Sequence, residues 1–382
     1  MRPRAAAWTL LILAMNLHAQ TKVRARDLGI PFEGAPGPWN AITDVPGVEV
    51  GHATIIRGSG KLLVGQGPVR TGVTVVLPRG KNSADPVFAG WFSLNGNGEM
   101  TGTTWVEESG FLEGPVAITN THSVGVVRDA VIAWQLKRGF LHQVFALPVV
   151  AETYDGYLND INGFHVKAEH VWEALETAAS GPVAEGNVGG GTGMNCFEFK
   201  GGIGTASRRL EDGFTVGVLV QANFGRRPQL RIAGVPVGRY LDCERWPPCW
   251  SRPPREGSII IVVATDAPLL PHQLKRLARR ASLGLARTGS ISGNGSGDIF
   301  LAFSTANPGA ARRSGESKLV MLANAALNPI FEAVIESTEE AILNAMVAAE
   351  TMVGRDDHRS IGLPHEEVRR LMREHRPDGA RN

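Results

Sequence analysis

The sequence predicts an α+β fold, and three observations carry that prediction. Short β-like runs neighbour one another over residues 40–80 and again over 196–222, with only turn residues between them. Helical spacing is confined to a few separate segments. Residues 258–352 by themselves read strand–helix–strand–helix–helix. Strands beside strands, with few helices between, argue against strict βαβ alternation.

The elements follow in chain order. Gly72–Leu77 (GVTVVL) is an apolar, β-branched run, and Gly114–Thr119 reads as another buried strand. Helical spacing covers roughly Ser123–Arg138, a strand returns over Val144–Ala151, and His165–Ala179 is again helical. Cys196–Ala206 and Phe214–Ala222 read as two strands separated by the turn residues Glu211-Asp212-Gly213. Residues 238–257 break the pattern, and Cys243–Glu256 (CERWPPCWSRPPRE) has no apolar periodicity and reads as a linker or exposed excursion. Ser258–Ala264 (SIIIVVA) has the unbroken apolarity of a central strand covered on both faces. Leu270–Arg287 is a long basic amphipathic helix, and Asp298–Phe303 is a strand. Ser317–Met352 reads as one or two helices with a break at Pro329, and the charged last ~25 residues read as a surface tail.

Composition narrows the function. Hydrophobic residues make up 43% and charged residues 20%, which excludes a disordered chain and a multi-span membrane protein. Lys+Arg 39 against Asp+Glu 37 leaves +2, which gives no electrostatic footprint for nucleic acid. Three cysteines exclude a disulfide-stapled scaffold and a four-cysteine metal site. The 46 glycines exceed the usual ~7% and cluster without a repeat. The N-terminus, MRPRAAAWTLLILAMNLHAQ, has two arginines, an apolar run too short to span a bilayer, and a small residue at Ala19. It reads as a secretory signal peptide over residues 1–19, cut after Ala19, so the expected location is secreted or periplasmic with no membrane partner. In that setting a Cys243–Cys249 bridge and two unpaired thiols both remain open, while Cys196 reads as a buried small hydrophobe.

Several motifs are missing. There is no phosphate-binding Gly-x-x-x-x-Gly-Lys, no His-Glu-x-x-His and no Gly-x-Ser-x-Gly, and Met194 interrupts any dinucleotide fingerprint after Gly189–Gly193. No metal and no cofactor are expected. What stands out is Gly257-Ser258, where a loop-like stretch ends in glycine and a serine opens an apolar strand. If the chain is cut there, the freed α-amine has an ordinary pKa of about 7.7–8.0 and can serve as general base for its own hydroxyl. The same hydroxyl can make the cut by attacking the preceding carbonyl, and glycine leaves that path clear.

Around this junction lie Ala41–His52 (AITDVPGVEVGH), Ile118–Gly125 (ITNTHSVG), Glu152–Gly156 (ETYDG), Leu158–Asn162 (LNDIN), Gly186–Met194 (GNVGGGTGM), Val220–Gly225 (VQANFG) and Ser292–Asp298 (SGNGSGD). In these blocks, over about 25–355, the sequence resembles the DmpA and β-aminopeptidase family of self-processing, N-terminal-nucleophile-like serine peptidases. The resemblance implies a four-layer αββα sandwich and self-cleavage at Gly257-Ser258. It gives an α subunit of residues 20–257 and a β subunit of residues 258–382, which together form one structural domain. It implies that Ser258 is the nucleophile, that Ser296 relays or positions the proton, and that Asp298 orients Ser296. Some members carry Glu where Asp298 stands, one methylene longer. It further implies Asn223, partnered by Tyr154, as the oxyanion site and Glu152 as the acid that meets the substrate's free amine. The glycine run, with Gly190 and Gly191, would line the site with backbone, and Asn120 and Thr121 would approach the pocket. The expected enzyme releases N-terminal residues from small peptides, amides or esters, as a homo-oligomer of αβ units. Two other functions fit the same scaffold: an acyltransferase like the ornithine acetyltransferases, and a non-catalytic uncut binding protein.

Overall fold

The computed structural model describes residues 22–247 and 257–375 of the chain. The signal-peptide segment and most of the Pro/Arg-rich stretch lie outside the described residues. The first part contains β1 (Glu49–Arg57), β2 (Val69–Leu77), β3 (Val87–Gly96), α1 (Thr103–Ser109), β4 (Phe111–Leu112), β5 (Val116–Asn120), α2 (Val124–Arg138), β6 (Val149–Thr153) and α3 (Ala168–Thr177). Then come β7 (Asn195–Cys196), β8 (Phe199–Lys200), β9 (Gly202–Arg209), β10 (Thr215–Asn223), β11 (Ser258–Thr265), α4 (Pro271–Arg287), β12 (Gly297–Ser304), α5 (Asn328–Val347) and α6 (His365–Glu374).

Two sheets face each other. One has the order β1-β2-β5-β6 and the other β4-β3-β12-β11-β10-β9. The period-2 alternation of the strands assigns each side chain to a layer. On β11, Ile260, Val262 and Ala264 meet Val76, Val116, Ile118 and Ala151 between the sheets. Its Ile259, Ile261 and Val263 point the other way, onto α4 and α5 through Leu277, Ala281, Val334 and Ile342. On the outer face of the smaller sheet, Val73, Val75 and Ala117 pack on α2 and α3 through Val127, Val131, Val171 and Leu175. The layers are therefore helices, sheet, sheet, helices, the αββα sandwich that the family resemblance implies. Ile259–Ala264 are all fully buried. Each large side chain there contributes about 1.5–3 kcal/mol, so β11 is held firmly on both faces and its first residue, Ser258, is held with it.

Several elements differ from expectation. The Cys196–Ala206 strand is instead the short ribbon β7–β8 followed by β9, because Phe197 and Glu198 take positive φ and turn the chain. The helix expected over Ser317–Met352 is only α5, with Pro329 in its first turn, where proline's missing N–H leaves no bond unmade. The C-terminal region is not a tail as far as it is described: α6 buries Val368, Leu371 and Met372 against the main core. β3 and α1 were not anticipated. Cys243 is disulfide-bonded and Cys196 is a free, buried thiol; Cys249 lies outside the described residues.

Candidate active site

Two neighbours converge on Ser258. β10 runs antiparallel to β11, so its last residue, Asn223, pairs directly with Ser258. β12 runs parallel on the other side, and the Gly297 N–H donates to Ser258 Oγ at 3.0 Å. Ser258 is buried.

Ser296, just before β12, has its Oγ 2.5 Å from the Gly257 carbonyl oxygen and 2.5 Å from Asp298 Oδ1. The Ser296 Oγ thus sits within hydrogen-bond reach of both the Asp298 carboxyl group and the carbonyl that precedes Ser258, with one proton to donate to either. The shorter acid does reach. β12 shifts register against β3 between Asp298 and Ile299, and such bulges re-aim side chains beside active sites.

Asn223 has a fixed amide. Its Oδ1 accepts the Asn195 N–H at 2.8 Å and its Nδ2 donates to the Tyr154 carbonyl at 2.9 Å. Nδ2 also lies 3.0 Å from where a Cβ on Gly257 would sit, and that Cβ would be 1.8 Å from the Asn223 carbonyl oxygen. Glycine is the residue that fits. Tyr154 contributes its backbone here; the residue is 52% exposed, and its hydroxyl lies over Gly156.

Glu152, at the end of β6, is buried. Its carboxylate accepts the Glu99 N–H at 3.1 Å and the Thr121 hydroxyl. Burial holds its pKa above the usual carboxylate range, and those two bonds partly oppose the rise. A Cβ on Gly98 would lie 3.1 Å from Gly297 Cα and 3.2 Å from Glu152 Oε1, so Glu152 approaches the Ser258 side of β12 through a glycine contact. Asn120 is one step removed. Its Nδ2 donates to Thr71 Oγ1 at 2.8 Å and to Asp155 Oδ2 at 3.1 Å, and burial pushes Asp155 up to about 6.

The glycine run is placed differently from expectation. Gly189 and Gly190 donate their N–H groups to Thr54 and Thr74. Added Cβ atoms on Gly190 and Gly191 would strike Gln221, Ile118 and Ile203. Those contacts make the run a thin spacer between the two sheets, close to β10 but at Gln221 rather than Asn223. Sequence reasoning also passed over the Asn95-Gly96-Asn97-Gly98 turn. Asn95 and Asn97 donate to the carbonyls of Gly293 and Gly295 and pin the loop that carries Ser296. Alternating Asn and Gly after the Phe92-containing run was the signal available. Among the described residues no cluster of His, Cys, Asp and Glu could hold a metal ion, and no helix is long and apolar enough to cross a membrane.

With this geometry in view, comparison with known proteins is decisive. The model of peptidase family S58 matches residues 40–360. The chain belongs to that family. It is 58% identical over 367 residues to the β-peptidyl aminopeptidase BapA of Sphingosinicella microcystinivorans, covering 92% of each chain. It is 49% identical to BapA of Sphingosinicella xenopeptidilytica, covering 92% of this chain and 91% of that one. Among solved structures, it resembles the L-aminopeptidase D-Ala-esterase/amidase of Ochrobactrum anthropi, a serine aminopeptidase with a variant of the Ntn-hydrolase fold. The TM-score is 0.85 and the identity 50%, over 92% of this chain and 98% of that one. A Burkholderia β-aminopeptidase gives 0.85 and 49%, over 94% and 100%. The S58 chain is therefore a hydrolase, an aminopeptidase of the serine type on an Ntn-hydrolase-like α+β fold.

Proposed function

We propose that the chain cuts itself between Gly257 and Ser258 and then removes N-terminal residues from small peptides, amides and esters through an acyl-enzyme on Ser258. The observation that carries this is Ser296 Oγ, 2.5 Å from both the Gly257 carbonyl and Asp298. In the cut, Ser258 Oγ attacks the Gly257 carbonyl carbon. The carbon–nitrogen bond to Ser258 breaks, an ester forms, and the nitrogen becomes a free α-amine. Water then hydrolyses the ester and releases the Gly257 carboxylate.

In the mature enzyme that amine takes the proton from Ser258 Oγ as the hydroxyl attacks substrate. Ser296, oriented by Asp298, passes the proton toward the leaving amine. Asn223 Nδ2 donates to the developing oxyanion, a role whose loss typically lowers rate about 10²–10³-fold. Glu152 meets the substrate's ammonium, which selects for a free N-terminus. Two relatives named β-peptidyl aminopeptidases support β-amino-acid derivatives among the substrates. The N-terminal segment supports export, and the working form is a homo-oligomer of αβ units.

Intact-mass analysis of purified protein tests this. The expected result is one chain of residues 20–257 and one of 258–382, both absent in Ser258→Ala. A single uncut chain with full hydrolytic activity would refute the mechanism. Turnover of β-alanyl, L-alanyl and D-alanyl p-nitroanilides, compared side by side, tests the substrate class.

A further inference from the structure

Met194–Gly202 is a buried hairpin beside the site. Its turn residues, Phe197 and Glu198, take φ of 50° and 61°, a region that hairpin turns normally fill with Asn or Gly. Backbone held this way persists only where its surroundings over-determine it, and here they do. Phe197 is fully buried, edge-on to Phe224 with ring centroids 5.0 Å apart. Its N–H donates to the Phe224 carbonyl at 2.7 Å. The Arg227 guanidinium stacks 4.3 Å over the Phe199 ring.

Inside this hairpin sits Lys200, fully buried. Its Nζ donates to the carbonyls of Met194 at 2.6 Å, Gly201 at 2.9 Å and Gly191 at 3.4 Å. Burial lowers its pKa to about 7. A buried amine is a costly choice if the hairpin needs only to be filled.

The Met194 carbonyl is one end of a planar peptide unit, and the Asn195 N–H is the other. That N–H is the group bonded to Asn223 Oδ1 at 2.8 Å. Gripping the carbonyl fixes the plane and therefore the direction of the N–H. Accepting a bond from the Lys200 amine also polarises the amide, which strengthens the N–H as a donor.

We propose that Lys200 is a positioning residue: through the Met194–Asn195 peptide it sets the Asn223 amide so that Nδ2 faces the reacting carbonyl. This rests on the oxyanion role given to Asn223 above.

The test is a double-mutant cycle of Lys200→Met and Asn223→Ala, with kcat expressed per cleaved chain as counted by intact mass. Where a variant stays uncut, the self-cleavage rate replaces kcat in the same cycle. Lys200→Met is expected to lower kcat about 10–100-fold with KM held within about two-fold, because a misaimed donor is felt in the transition state. The double variant is expected to be no slower than Asn223→Ala alone. Losses that simply multiply, or a change in KM with kcat intact, overturn the positioning role. An Asn223→Ala enzyme with unchanged kcat instead overturns the oxyanion assignment itself. If Lys200→Met does not fold, Lys200→Gln, which keeps N–H donors of shorter reach, supplies the same comparison.

Discussion

Gly257→Ala isolates the geometry of the proposed self-cleavage from its chemistry, because no reacting group is removed. A Cβ at this position would lie 1.8 Å from the Asn223 carbonyl oxygen and 2.8 Å from its carbon, both backbone atoms. Real Cβ contacts stay beyond 3.0 Å, so the Gly257 segment and the end of β10 must part by about 1.2 Å. That displacement moves the scissile carbonyl relative to the Ser296 hydroxyl, now 2.5 Å away. Misplacement of about 1 Å typically costs about 100-fold in rate, so cleavage should slow by about that factor or more. The assay is a time course of purified protein followed by intact mass, with a thermal melt to confirm folding. The expected product is an accumulating uncut chain that cuts slowly over time. A folded Gly257→Ala protein that cuts at the parental rate would show that this contact does not govern the reaction.

Ser296→Ala and Asp298→Asn should each lower both self-cleavage and turnover, by about 10²–10⁴-fold, the usual worth of positioned proton transfer; densitometry of the two chains and steady-state kinetics check this. Glu152→Gln should raise KM for substrates with a free amine by about 10-fold or more, since it removes one partner of a buried charge pair. Because burial raises the Glu152 pKa, the parental KM should climb as pH falls at a higher pH than an ordinary carboxylate would give. KM measured against pH should stay flat there in the Gln variant. His52 is half-buried with its Nε2 enclosed, and desolvation lowers its pKa from 6.5 to about 4. The native state then binds fewer protons than the unfolded state between those values. Stability is fully present above about 6.5 and falls by about 3 kcal/mol as pH drops toward 4. Urea unfolding of the parent and His52→Gln at pH 7 and pH 4 should show that difference only in the parent.

Much of the fold was legible wherever apolar periodicity ran without interruption. β2, α2, α3, β10, β11, α4 and β12 fall within a few residues of expectation. β11 was the clearest, because a strand buried on both faces leaves an unbroken apolar run. β3 was missed because its buried half, Val87–Gly90, gives way to exposed residues that end in an Asn/Gly turn. The ribbon β7–β8 was misread because Phe and Glu hold a turn normally signalled by Asn and Gly, and tertiary packing overrides that local preference. The candidate site residues Ser258, Ser296, Asp298, Asn223 and Glu152 came from resemblance to a family. Bottom-up reading supported only the Gly257-Ser258 junction, since the others meet through strand pairing across distant positions. Lys200 and Asn195 were invisible for the same reason: a lysine in a glycine-rich strand carries no sign that its amine is enclosed.

The proposed cut falls in the central sheet, and the arrangement would hold the two resulting chains together. β11 lies between β10, from the first part of the chain, and β12, from the second, so hydrogen bonds on both sides would hold a terminus at Ser258 in register. The core between the six-stranded sheet and α4–α5 mixes residues from both sides of Gly257-Ser258, such as Val218 and Val220 with Ile261 and Val334. Buried ion pairs reinforce it: Glu340 on α5 takes a bidentate contact from Arg26 at 2.7 and 2.8 Å and another from Arg208 at 2.8 Å. Breaking such a pair would strand a buried charge at a cost of about 3–5 kcal/mol. Separating the two chains would expose that core and those charges together. Removing the peptide bond at the mouth of β11 would leave all of them in place, so the proposed cut would create an amine at a fixed point and free little else.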